Sequence, residues 1–379
     1  MSSQESPHVS RPILIAILTA ILCPLLSAEH MTVAQLRDML AAQQAAHKSD
    51  KDIADKIGSV ELTEQLTSAT LAQIAADLHP GPKTAEALEM QSGVSGFLDP
   101  PSGERPAKDA PDNATQQHML RQAIEFAAIT LHLMPDFLAT RDTRSFDDSP
   151  RIMSNAGWFP ANRALHVVGN FTEPITYRDG REVYDTQPGQ QTSVHASPSG
   201  LASSGEFGPV LATVITDALK GKMTWSYWQQ TPAALAAVFK FQIPQEASHY
   251  AVGFCWITPS TMASYRHVND MADARTNCYR GTPGYHGSLS IDPATGTILR
   301  IAIESDLPAS DRLARADLFV EYGSVEIGGR IYICPVRSVA LSLIRFPDAS
   351  PARTMLCLND SAFNSYHRFG ATVKILTTH

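Results

Sequence analysis

From residue 165 to residue 376 the chain is a succession of short apolar runs broken by turn residues, and this limits its fold more than any other feature. The runs are 165–168, 175–177, 181–184, 223–228, 236–241, 250–257, 286–291, 298–304, 318–322, 330–344, 354–358 and 372–376. Asp179-Gly180 supplies a hairpin turn between the second and third. One helical pattern interrupts the series at 209–219, where Val210, Val214, Ile215 and Leu219 share a face. Parallel strands need crossovers of a dozen or more residues, usually helical, and this region lacks them. The expectation is therefore an α+β fold built on one large, curved antiparallel sheet, an unclosed barrel, with helices on its concave face.

The residues before this region read differently. Positions 31–95 form a small all-α unit. Thr32 and Gln35 make a capping box ahead of Val33, Leu36, Met39 and Leu40. A second helix is expected over 50–57, and a third, capped by Thr63, carries Leu66, Leu71, Ile74 and Leu78 to a stop at His79-Pro80-Gly81-Pro82. A fourth follows Thr84 through Met90. The Pro- and Asp-rich text of 99–113 reads as a linker, and a helix of about 20 residues, by its 3.6-residue periodicity, follows over 114–133. Residues 142–163 read as irregular and polar. The expected organisation is a signal peptide at 1–28, a helical unit at 29–98, a linker at 99–113 and the α+β domain at 114–379.

The signal reading rests on residues 12–28, an apolar run preceded by Arg11 and ending in Ser27-Ala28. It implies a secreted or periplasmic protein with no stable membrane span after cleavage. Net charge is −8 with no basic run, so nucleic acid is excluded as a partner. Of five cysteines, Cys23 lies in the apolar run, leaving Cys255, Cys278, Cys334 and Cys357. An even count outside the cytoplasm points to disulfides. Cys255 closes one apolar run and Cys278 opens the next, which favours that pair; Cys334 with Cys357 is the less well-supported remainder. Zinc is the alternative use of these thiols with His249, His267 and His286, but no Cys-x-x-Cys or His-x-x-x-His spacing supports it.

Two segments carry a resemblance. Tyr285-His286-Gly287-Ser288-Leu289-Ser290-Ile291-Asp292-Pro293-Ala294-Thr295-Gly296-Thr297-Ile298 reads as strand, Asp-Pro-x-Thr-Gly turn and return strand. The stretch from Val320 through Gly328-Gly329 to Pro335 reads as another hairpin. Together they resemble the core hairpins of the bacterial lipoprotein-carrier and lipoprotein-sorting group, and the periplasmic regulators of the envelope-stress sigma factor are similar. The resemblance implies an unclosed barrel around an apolar cavity, lidded by helices, that binds rather than catalyses. The group lacks a helical unit like residues 31–95 and is shorter. Its ligand contacts are scattered apolar positions, so no residue role carries over.

No catalytic motif, cofactor motif or metal motif is present. Gly93-Val94-Ser95-Gly96 misses the nucleophile-elbow pattern, and Asp142, Asp147 and Asp148 lack the alternation of a calcium loop. Glu206, just before the helical pattern at 209, is the acid of most interest, with a helix N-terminus as its plain partner. Alternation places Met223, Trp225 and Tyr227 on one sheet face, where they would line a ligand cavity or fill the core. The leading expectation is a non-enzymatic binding protein for an apolar ligand, such as a lipid or acyl chain, or for a partner peptide. The alternatives are an envelope sensor or adaptor working through protein contacts, and a hydrolase whose carboxylates meet only in the fold.

Overall fold

The computed structural model describes residues 29–148, 164–183, 200–218, 221–232, 234–255, 278–308, 310–346 and 353–368. The expectations for the signal peptide, for residues 149–163, for His267 and for a strand at 372–376 fall outside them. The N-terminal unit comprises β1 (Glu29–Met31), α1 (Val33–Ala45), α2 (Asp50–Gly58), β2 (Val60–Leu62), α3 (Ser68–Leu78) and α4 (Pro82–Val94). The capping box forms as read: Thr32 Oγ1 accepts from Gln35 N, and Gln35 Oε1 accepts from Thr32 N. The third helix is capped by Thr67 rather than Thr63, because residue 63 instead bonds back to Met31 where β1 and β2 pair in parallel. Gly81 has no side chain with which to cap α4, and Asp50 does so from α2, accepting from Lys83 N and Thr84 N at 2.9 and 3.0 Å. Leu36, Leu40, Ile57, Leu66, Ile74 and Leu88 close the core of the unit.

After α5 (Asn113–Leu133) come β3 (Phe137–Asp147), β4 (His166–Arg178), β5 (Arg181–Val183), α6 (Pro209–Ala218), β6 (Lys222–Gln230) and β7 (Leu235–Ile243). A two-stranded ribbon follows, β8 (Val252–Cys255) with β9 (Cys278–Gly281). The chain ends in β10 (Gly284–Ile291), β11 (Ile298–Asp306), β12 (Leu313–Ile327), β13 (Arg330–Phe346) and β14 (Arg353–Arg368). Ten of these strands make one sheet in the order β5-β4-β3-β14-β13-β12-β11-β10-β7-β6, antiparallel throughout and not closed into a barrel. The α+β expectation therefore holds.

Both faces of the sheet are covered. On one, α5 and α6 press Met119, Ala123, Val210, Leu211, Val214 and Ile215 onto Phe239, Phe241, Leu289, Ile301 and Val320. On the other, Met90, Val94 and Phe97 from the N-terminal unit pack on Ala302, Phe319, Val339, Leu341 and Leu358. The linker is pinned rather than free: Asp109 O accepts from Trp228 Nε1 at 2.9 Å, and Lys240 Nζ lies 2.9 Å from Asp99 Oδ1.

The segment read as irregular from residue 142 is, as far as Asp147, part of strand β3. Its inward residues Arg141, Thr143, Ser145 and Asp147 are buried and polar, so the strand has no apolar alternation to betray it. The face above α6 thus changes character along the sheet. It is apolar from β7 to β12 and polar across the middle of β13, β14 and β3, where Ser338 aligns with Ser361 and Thr143, and Ala340 with Asn359 and Ser145. It is apolar again at Phe363, Ala139 and Phe137 beneath Phe207.

Candidate functional site

The aromatic strand does not form the expected row. A bulge at Ser226 shifts the register, so that Trp225 pairs with Phe239 but Tyr227 pairs with Val238. Trp225 stays on the α5/α6 face, edge-on to Trp228 at 4.8 Å and to Phe239 at 5.5 Å, with Met223 packed on the same core. Tyr227 faces the other way, toward Asp99 Oδ1 at 3.4 Å and under Arg105. Burial pushes its hydroxyl well above the usual tyrosine range, with Asp99 adding to the shift. Met223 and Trp225 serve the α5/α6 core while Tyr227 lies against Asp99 and Arg105 on the opposite face, so the three do not line one surface.

The cysteines also part company. The backbone register places Cys255 directly opposite Cys278. Cys334 and Cys357 are both buried and free, which corrects the disulfide expected between them. Cys357 pairs with Ser342 of β13, eight residues along that strand from Cys334, so the two lie roughly 25 Å apart at ~3.3 Å per residue. A disulfide needs Cα atoms within about 7 Å. Among the described residues no group of three His, Cys, Asp or Glu side chains could hold a metal ion.

Over the polar half of the sheet runs a strap, residues 200–207, that leads into α6. Sheet side chains bind its backbone: Ser342 Oγ accepts from Leu201 N, Asn359 Nδ2 donates to Leu201 O at 2.7 Å, and Arg141 Nη1 donates to Ser203 O. Gly200 has φ +78°, and a Cβ there would stand 2.5 Å from that of Cys357, so only glycine seats this end. Glu206 is fully buried beneath the strap. It does not act on the helix N-terminus. Its carboxylate takes Arg141 Nη2 at 3.1 Å, Ser203 Oγ at 2.5 Å and Ser338 Oγ at 3.1 Å. The buried polar stripe on β13, β14 and β3 is thus the floor on which the strap lies.

Where the strap meets α6, a cleft of about 330 Å³ opens toward solvent. Leu201, Val210, Tyr250, Val252, Leu318 and Ala340 contribute its apolar wall, and Ser203, Ser204, Thr213 and His249 its polar part. His249 is the residue that sequence reading undervalued. Its Nδ1 lies 2.5 Å from Oδ1 of Asp217, a fully buried carboxylate in the last turn of α6. Asp217 Oδ2 also accepts from His249 N at 2.8 Å and from the Tyr285 hydroxyl at 2.9 Å. Burial and that carboxylate push the Tyr285 hydroxyl up, which keeps it a donor. No spacing motif links these residues, since α6, β10 and the loop before β8 supply one each.

Two further grooves flank α4 on the opposite face. The larger, about 570 Å³, is lined by Glu89, Asp142 and Asp360 together with Phe146 and Phe171. Each acid already has a partner. Arg144 pairs with Glu89, Arg337 grips Asp360 through two bonds, and Thr172 and Asn364 donate to Asp142, which holds its carboxyl below the usual range. Such acids suit ion pairing better than proton transfer to a substrate.

No protein family, curated protein or solved structure matches this chain. The functional reading therefore stands on the geometry of the cleft.

Proposed function

We propose that this chain is a non-enzymatic binding protein, secreted or periplasmic, that takes a small amphiphile in the cleft between the strap and α6. The observation that carries this reading is the cleft's division into an apolar wall and a polar rim. At about 330 Å³ it stands at the low end of ligand pockets, which run from roughly 300 to 1,000 Å³. Because side chains of α5 and α6 fill the rest of that face, the ligand is a short alkyl or acyl chain, or an apolar peptide side chain, rather than a whole lipid. Apolar burial would drive binding, at about 0.8 kcal/mol per methylene.

The adaptor reading has less behind it, because the large exposed hydrophobics among the described residues all fall outside 31–95. The hydrolase reading gains nothing from acids that are already paired. Titration of the full chain with 1-alkanols of four to ten carbons, followed by NMR, tests the proposal. Affinity should rise about fourfold per methylene and then level off as the cleft fills. Ala340→Leu, which narrows the floor, should bring the plateau to shorter chains. Absence of saturable binding, or an Ala340→Leu protein with an unaltered plateau, would overturn the reading.

A further inference from the structure

The His249 imidazole is oriented by a buried carboxylate while its own side chain stays exposed in the cleft. Asp217 is buried in the last turn of α6; the His249 backbone N–H and the Tyr285 hydroxyl both donate to its Oδ2, and Oδ1 is left to the His249 ring. Those two bonds suffice to tie the loop before β8 to α6 and β10. The third bond, from Nδ1, completes the buried carboxylate at Oδ1 and at the same time fixes the orientation of a ring whose side chain is 61% exposed and lines the cleft. Among the described residues Nε2 has no hydrogen-bond partner. A carboxylate on one ring nitrogen fixes the tautomer and leaves the other nitrogen as the acceptor.

We propose that Asp217 and His249 form the polar anchor of the cleft, with Nε2 accepting a hydrogen bond from a ligand hydroxyl. This rests on the reading that the cleft binds an amphiphile, and it names the chemical class of the ligand's polar end: a neutral O–H donor. Tyr285 is a positioning residue, since it acts on Asp217 rather than on the ligand. Of the polar lining, the Ser203 hydroxyl is committed to Glu206, and the His249 ring is the group whose orientation a buried carboxylate fixes.

Two measurements test the anchor. The ring ¹⁵N shifts of His249 in the unliganded protein should show the neutral imidazole protonated at Nδ1; a ring protonated at Nε2 would overturn the proposal. The second compares 1-heptanol with 1-methoxyhexane, an ether matched in chain atoms but lacking the donor. One neutral hydrogen bond predicts a preference for the alcohol of about three- to tenfold. His249→Ala, at an exposed side chain, should abolish that preference. Equal, saturable binding of both probes, or a preference that survives His249→Ala, would overturn the anchor and leave the cleft standing. Failure of both probes to bind would overturn the cleft and the anchor together.

Discussion

Arg141 and Glu206 form a buried ion pair, with Nη2 3.1 Å from Oε2 and side chains 8% and 0% exposed. It ties a strand with a polar inner face to the strap above it, and Glu182 lies 3.9 Å from the same guanidinium nitrogen. Removing one partner of a buried pair leaves a desolvated charge. Arg141→Ala should therefore lower stability by roughly 3–5 kcal/mol in urea unfolding. Adding Glu206→Gln should recover part of that loss, because a neutral amide can still accept from Ser203 and Ser338. A single variant within about 1 kcal/mol of the parent, the net value of an ordinary hydrogen bond, would show that the pair does not hold the strap.

Asp317 sets a pH dependence. It is buried on β12, and burial pushes its carboxyl up to about 6, with the Glu304 charge opposite adding to the shift and Arg315 opposing it. The folded pKa lies above the unfolded one, so the native state holds this proton more tightly. The associated stability is complete below about pH 4, the unfolded carboxyl's range, and is lost as pH rises through 6. Relative to Asp317→Asn, the parent should lose roughly 2 kcal/mol between pH 4 and pH 7. Parallel stability curves for the two proteins over that range would contradict the assignment.

What the sequence made legible follows from where each signal resides. The capping box of Thr32 and Gln35 and the long helix after residue 113 are local and periodic, and they form as read. Strand β3 was hidden because its buried side chains are Arg141, Thr143, Ser145 and Asp147, a pattern that looks solvated until the strap is in place. The faces of Trp225 and Tyr227 were misassigned because a bulge at Ser226 leaves no mark in composition. Asp217 and His249 meet only when α6 docks on β10 and the loop before β8 folds back, so no spacing rule could pair them.

The cysteines should divide two and two. Burial pushes the Cys334 and Cys357 thiols up to about 12, with Asp147 adding to the second. At pH 8 a thiol in that range is almost wholly protonated and unreactive. Iodoacetamide should leave both untouched in the native protein and label both once urea unfolds it. Paired residues on antiparallel strands have Cα atoms about 4.5–5.5 Å apart, within disulfide reach, so the register of Cys255 with Cys278 predicts that these two oxidise together. A non-reducing peptide map of oxidised protein should show that link and free Cys334 and Cys357. A bridge involving Cys334 or Cys357 would contradict the sheet register.

The N-terminal unit docks on the sheet through a contact without slack. A Cβ at Gly96 would meet the Phe319 ring at 2.2 Å, and that ring cannot swing away. Arg300 and Arg337 lie over it at 4.5 and 5.4 Å, Phe97 meets it edge-on at 5.5 Å, and the Arg300 guanidinium donates to Gly96 O. Gly96→Ala must therefore move the Ser95–Phe97 turn away from β12 or push Phe319 off its rotamer, an overpacking that costs about 1–3 kcal/mol. The loss should fall on the docking of the unit, because the core of α1 to α4 lies elsewhere. Hydrogen exchange should thus quicken at the Ser95–Phe97 turn and in α4 while Leu36 and Leu40 in α1 keep their protection. Phe319→Leu in the Gly96→Ala background, by making room for the methyl, should return part of the lost protection. If Gly96→Ala instead leaves exchange in α4 unchanged, the N-terminal unit is held by its other contacts, among them the cluster that Met90 shares with Leu341 and Leu358 and the Arg144–Glu89 pair.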